Sequence, residues 1–145
     1  MNLSLDLSVV VTRISDQVAA LKKVGEAADL ASAEEDIKNK IPAAYVVPLR
    51  EGVSANKLVN AVSQRVTEGF SVALAISNVR DTRGVKAVSD LRTLRAAVQD
   101  ALVGWTPDAN VYDIFEYGGG RLLSISATVM WWMLEFRTTY YVRKT

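Results

Sequence analysis

The stretch from Val129 to Val142 limits the possible folds of this chain more than any other. Its even positions 130, 132, 134, 136, 140 and 142 hold Met, Trp, Leu, Phe, Tyr and Val. Period-2 alternation of this kind places one continuous apolar face on a β-strand. The odd positions are mixed, with Trp131, Met133 and Tyr141 standing among Glu135, Arg137, Thr139 and Arg143. Large apolar groups on both faces require cover on both sides, supplied by the chain's own fold or by another subunit.

The rest of the chain can be read against that strand. Leu7, Val11, Ile14, Val18 and Leu21 recur at alternating spacings of four and three, the stripe of an amphipathic helix. Asp6 or Ser8 would cap it and Gly25 would stop it. Residues 26–36 carry Glu26, Asp29, Glu34, Glu35 and Asp36 with no basic side chain, and read as a short second helix with a solvated acidic face. Ile41 to Leu49 is rich in β-branched and aromatic residues, with Pro42 and Pro48 near its ends. Proline donates nothing to a ladder, which predicts an edge strand or one with clipped ends, followed by a loop over 51–56. Val62, Gln64, Val66, Phe70, Val72, Leu74 and Ile76 share one parity. That run is long for one strand, so a bend or hairpin is expected near Glu68 and Gly69.

Asp81 or Thr82 should open a further helix whose stripe is Val85, Val88, Leu91, Leu94, Val98, Ala101 and Leu102. Gly104 falls where a left-handed cap belongs, and Pro107 prevents resumption. Tyr112 to Tyr117, a Gly118-Gly119-Gly120-Arg121 connection, Leu122 to Ser126 and the final strand complete the chain. The order of helices, strands, helix and strands predicts an α+β fold, a mostly antiparallel sheet packed against helices, as a single domain over 1–145. Val66, Phe70, Val72 and Leu74 should pack against Val88, Leu91, Leu94 and Val98, with Trp132, Leu134 and Phe136 on the same side.

Composition removes whole classes of chemistry. The 145 residues include no cysteine and no histidine. Disulfides, thiolate metal sites and thiol nucleophiles are excluded, along with the commonest general base and the commonest metal ligand. Half the residues are hydrophobic and 23% are charged, a globular balance. A net charge of +1 gives no support to a dedicated nucleic-acid or membrane-surface protein. The N-terminus lacks the basic start of a targeting segment, and no apolar run approaches the ~20 residues of a membrane span. The expectation is a soluble protein made in a reducing cytoplasm.

Three features invite a catalytic or binding role, and each has a plainer explanation. Gly118-Gly119-Gly120-Arg121 has the residues of a phosphate-cradling nest, but such loops normally lead into a helix, and strand-like Leu122 to Ser126 follows. A hairpin connection fits better. Asp81-Thr82-Arg83-Gly84 lacks the oxygen density calcium requires and reads as a helix entry. Trp105, Trp131 and Trp132 have no interleaved basic cluster for stacking bases, so they read as core or interface packing. The expected site inventory is therefore no catalytic residue, no cofactor and no metal.

The string Ile41-Pro-Ala-Ala-Tyr-Val-Val-Pro-Leu, then Val62-Ser-Gln-Arg-Val-Thr and Phe70-Ser-Val-Ala-Leu, resembles the tail terminator proteins of long-tailed phages. The same order continues through Asp81-x-Arg83-Gly84, Ala101-Leu-Val-Gly-Trp105-x-Pro107, Tyr117-x-Gly119-Gly-Arg-Leu-Leu123, Trp131-Trp132 through Phe136, and Tyr140-Tyr141. No single piece is specific; their succession over nearly the whole chain is. The resemblance implies a non-enzymatic structural virion protein at the head-proximal end of the tail, assembled in the host cytoplasm. Such proteins form a hexameric ring on the finished tube, stop its polymerisation and offer a surface for head attachment. The implied partners are further copies of the chain, the tail tube protein and a head–tail connector protein, with no sequence-specific nucleic acid and no membrane. A tail completion or head–tail connector subunit of the same particle is the nearest alternative, and a small ligand-binding module a more distant one.

A sixfold ring needs heterologous interfaces, in which two different patches of one subunit meet its neighbours. Trp131 and Met133, on the second face of the last strand, are the expected subunit interface, with Arg137 and Arg143 at its rim. Charge offers steering: residues 26–36 hold a net −5, while residues 80–95 hold five Lys/Arg against two Asp.

Overall fold

The computed structural model describes residues 3–78 and 85–145. The elements in chain order are α1 (Leu7–Gln17), β1 (Lys23–Glu26), α2 (Leu30–Ile37), β2 (Ala43–Val53), β3 (Val62–Ser77), α3 (Val85–Leu102), β4 (Glu116–Ile125) and β5 (Val129–Lys144). The strands form one sheet in the order β1-β2-β3-β5-β4, parallel between β1 and β2 and antiparallel elsewhere. The fold is α+β with a mostly antiparallel sheet, as the periodicities require. Asp6 caps α1 through the Ser8 amide, and Asp29 caps α2 through the Ser32 amide. At the far end of α3, Gly104 adopts φ +79, the left-handed cap that its position suggests. The expected start of this helix at Asp81 or Thr82 lies outside the described residues.

The sheet is covered on both faces. Even-numbered Phe70, Val72, Leu74 and Ile76 of β3 join Met130, Leu134 and Phe136 of β5 under α1 and α3, with Val10, Ile14, Leu91, Leu94 and Val98. Phe70 stacks on Phe136 with ring centroids 5.7 Å apart and meets Phe115 edge-on at 5.2 Å. Trp132 packs against this core only partly buried. Odd-numbered Ala73, Ala75 and Trp131 face the other way, where α2 closes over them with Ala33 and Ile37. Alanines at 33, 43, 73 and 75 let that helix approach and leave room for Tyr45 and Trp131, whose ring centroids are 6.1 Å apart. Tyr45 donates a hydrogen bond to Asp36 at 2.8 Å, tying β2 to the end of α2.

Several expectations change. Gly25 is not a helix stop: α1 ends at Gln17, and Gly25 sits in the short strand β1 beside Tyr45. The segment 41–49 is not an edge strand throughout, because β1 pairs with Ala43–Val46. The proline argument holds beyond that point, where Pro48 stands with no strand on its outer side and a bulge follows between Pro48 and Arg50. No hairpin breaks β3 near Gly69; the strand runs unbroken for 16 residues, and the irregularity lies opposite, on β2. Val85 and Val88 are exposed at 59% and 56%, and Ala87 takes the core position instead.

The glycines at 118–120 do not connect two strands. They lie inside β4, and the turn to β5 is at Ser126–Thr128, closed by the Ser126 amide on the Val129 carbonyl at 2.9 Å. Gly119 has φ +105 beside the bulge between Tyr117 and Gly119. A Cβ at Gly120 would meet the Met133 carbonyl and Trp132 Nε1, each at 2.8 Å. A bulge and a close approach explain these glycines.

At the other end of the sheet the N-terminal segment is tied down by side chains. The Leu5 amide donates to both Glu68 carboxylate oxygens at 3.1 Å, and the Tyr140 hydroxyl donates to Glu68 at 3.3 Å. The Tyr112 hydroxyl donates to the Leu3 carbonyl at 2.7 Å. Burial pushes the Glu68 carboxyl up from its ordinary value against these bonds, and burial with the nearby Glu68 charge pushes Tyr140 up to about 12.

Two outcomes follow from this packing. Trp131→Ala and Phe136→Ala should each cost ~3–5 kcal/mol in urea melts, with half-buried Trp132→Ala costing less. A Trp131 loss below about 1 kcal/mol would contradict burial under α2. Glu68 holds its proton more firmly folded than unfolded, so its contribution to stability is present below the ordinary glutamate range and is lost as pH rises through the raised folded value. Glu68→Gln should therefore flatten the fall in stability as pH rises from the ordinary glutamate range through the raised folded value, read from urea midpoints; an unchanged pH profile would contradict the burial of this carboxyl.

Candidate functional site

Chemistry has little foothold in this structure. Among the described residues no group of three or more carboxylates could hold a metal ion. A cleft of about 640 Å³ lies beside the start of α3, lined by Lys22, Lys38, Lys86, Asn78, Ser77 and Asp90 among others. Among the described residues it gathers lysines and hydroxyls with a single carboxylate, Asp90. Glu68, the half-buried carboxylate, is occupied by the Leu5 amide and the Tyr140 hydroxyl.

Surface shape is the more informative property. Beyond Pro48, β2 and β3 continue as a hairpin arm paired from Arg50↔Gly69 to Val53↔Val66, with β5 alongside β3. Its loop, 54–61, is exposed yet internally knotted. Asn56 donates to the Leu58 and Ala61 carbonyls at 3.2 and 2.9 Å and accepts from the Leu58 and Ser63 amides at 3.3 and 3.0 Å. The Ser54 hydroxyl accepts from the Arg65 amide at 2.9 Å. This knot holds Leu58 at 53% and Val59 at 86% exposure, with Val53 at 61% below them. The tip is therefore an apolar surface ordered in advance by the loop's own hydrogen bonds.

The residues expected at a subunit interface separate into two groups. Trp131 and Met133 are only 3% and 6% exposed, so the expectation that they face outward in the lone chain is corrected. For Trp131 the physical reason is the alanine-lined space beneath α2, which this side chain fills from within the chain. Arg137 and Arg143 are exposed. Arg137 Nε donates to the Glu116 carboxylate at 3.0 Å, and the Arg143 guanidinium lies 4.4 Å from the Tyr141 ring centroid. The same uncovered part of the sheet carries the Arg50–Glu135 ion pair at 3.6 Å.

Sequence reasoning missed the hairpin tip. Its signal was present as Leu58 and Val59 set between Lys57 and Asn60 in an otherwise polar loop. Period-based reading passes over isolated apolar residues because they belong to no stripe.

No curated protein sequence matches the chain. The model of the phage tail terminator protein family matches residues 1–145, the whole length. That family is structural rather than enzymatic, and no described helix is long and apolar enough to cross a membrane. The chain belongs to the phage tail terminator protein family.

Proposed function

We propose that this protein closes the head-proximal end of a phage tail as a hexameric ring that stops tube polymerisation and offers a surface for head attachment. The observation that carries this reading is the family match over all 145 residues. Its partners are further copies of itself, the tail tube protein and a head–tail connector protein, and no cofactor takes part. Two physical features support the reading. The sequence holds neither histidine nor cysteine, which leaves the commonest catalytic side chains out of it. Apolar area remains exposed at an ordered hairpin tip and beside α3, where a protein acting alone in water gains nothing from it. Arg137 and Arg143 stand at the rim of the subunit contacts.

Tail length is the direct test. Tails assembled without this protein, seen by negative-stain imaging, should have overlong tubes. Normal-length, headless tails would instead assign it to joining and contradict termination. A second outcome concerns the hairpin tip. Leu58→Asp with Val59→Asp touches only exposed side chains, so melting should move by no more than about 0.5 kcal/mol. Control of tail length should nevertheless fail, and normal tails from this variant would remove the tip from the account.

A further inference from the structure

Between α3 and the edge strand β4 lies a shelf that the chain leaves open. On α3, Val88, Arg92 and Arg95 are spaced four and three apart and so share one flank. The Lys86–Asp90 pair occupies the opposite flank, toward the cleft bordered by Lys22 and Ile41. The Arg95 guanidinium sits 4.4 Å from the Trp132 ring centroid, which aims the first flank at β5 and beyond it β4. Leu122 pairs across from Trp132 and Ile125 from Met130, so both lie on this same face. From Val88 to Arg95 the helix rises ~10 Å, and from Leu122 to Ile125 the strand advances ~10 Å, so the two rows are of similar length. Val88, Leu122 and Ile125 are exposed at 56%, 47% and 54%. The result is an apolar trough with arginines on its helical wall.

The complementary patch is on the same chain but out of its reach. Residues 26–36 carry five acidic side chains and no basic one, and α2 turns Ala33 and Ile37 inward while Glu34 and Glu35 stay exposed. This helix packs on the opposite face of the sheet, over Ala43 and Tyr45 of β2, while the trough borders β4 at the far edge. Patches on opposite faces and toward opposite edges cannot meet within one subunit. They are different surfaces, so a contact between them is head to tail, the kind that closes into a ring.

We infer that neighbouring subunits join by seating the acidic outer face of α2 on the arginine-walled trough between α3 and β4 of the next copy. The occupant is a second copy of this chain, chosen by charge: Glu34 and Glu35 face Arg92 and Arg95, and Val88, Leu122 and Ile125 are covered. The inference rests on the ring reading above and specifies its contact.

Charge reversal with complementation tests it. One variant carries Glu34→Arg and Glu35→Arg, the other Val88→Glu and Arg92→Glu; all four positions are exposed, and circular dichroism checks that each variant folds. In native mass spectrometry the wild type should form closed oligomers, and each variant alone should associate at least about tenfold more weakly. An equimolar mixture should restore rings with the two variants alternating, because every junction then pairs opposite charges. Wild-type-like assembly by either variant alone, or a mixture that stays apart, overturns this contact while leaving the ring reading in place. Variants that assemble normally but fail to cap tails would give the trough to the tube protein and overturn it too. A wild type that stays monomeric up to millimolar concentration removes the ring and this contact together.

Discussion

The ladder between β3 and β5 pairs without interruption from Val62↔Lys144 to Ser77↔Val129, and both strands present side chains to two different layers of the chain. Shared register forces the rest. Because Phe70 lies opposite Phe136, Val72 opposite Leu134 and Leu74 opposite Trp132, one face is fixed as the larger apolar surface, and α1 and α3 must lie there. Because Ala75 lies opposite Trp131 and Ala73 opposite Met133, the other face alternates small and large residues, which suits one short helix. A slip of one residue would exchange the faces and strand every one of these side chains.

Self-sufficiency of that central ladder shapes the functional reading. With both faces satisfied inside the subunit around the helices, the proposed assembly draws on what the helices leave uncovered. Those features are the hairpin arm beyond Pro48, the ion-paired patch around Arg50, Glu135, Arg137 and Glu116, and the trough beside α3. The arm is ordered by its own hydrogen bonds through Asn56, which lowers the entropy lost when its tip docks. A subunit of the proposed ring benefits from this division, since its fold need not wait for its neighbours.

Much of this was legible in the residues. The stripe Leu91, Leu94 and Val98, the even face of β5 and the cap at Gly104 all follow from period and turn chemistry, and they fix the α+β class. The four-residue strand β1 was illegible because Lys23–Glu26 has no room to show a period. The triple glycine misled because glycine marks a turn, a bulge or a close approach equally well, and the proximity of Trp132 and Met133 that decides the matter is tertiary. The surface residues Val85 and Val88 fit the helical stripe in sequence but fall past the edge of the core in space. Trp131 was read correctly as needing cover; the source of that cover depended on α2 crossing back over the sheet, and a strand pattern carries no information about that.

Amide hydrogen exchange on the free subunit, compared with the assembled ring, tests the central claim most directly. The account predicts that amides of Ala73–Ile76 and Met130–Phe136 are already among the slowest in the free subunit, exchanging only through global unfolding. On assembly, new protection should appear in α2 and along the α3–β4 trough. Rapid exchange around Trp131 in the free subunit, slowed only on assembly, would show that a neighbour completes this face and would contradict the account.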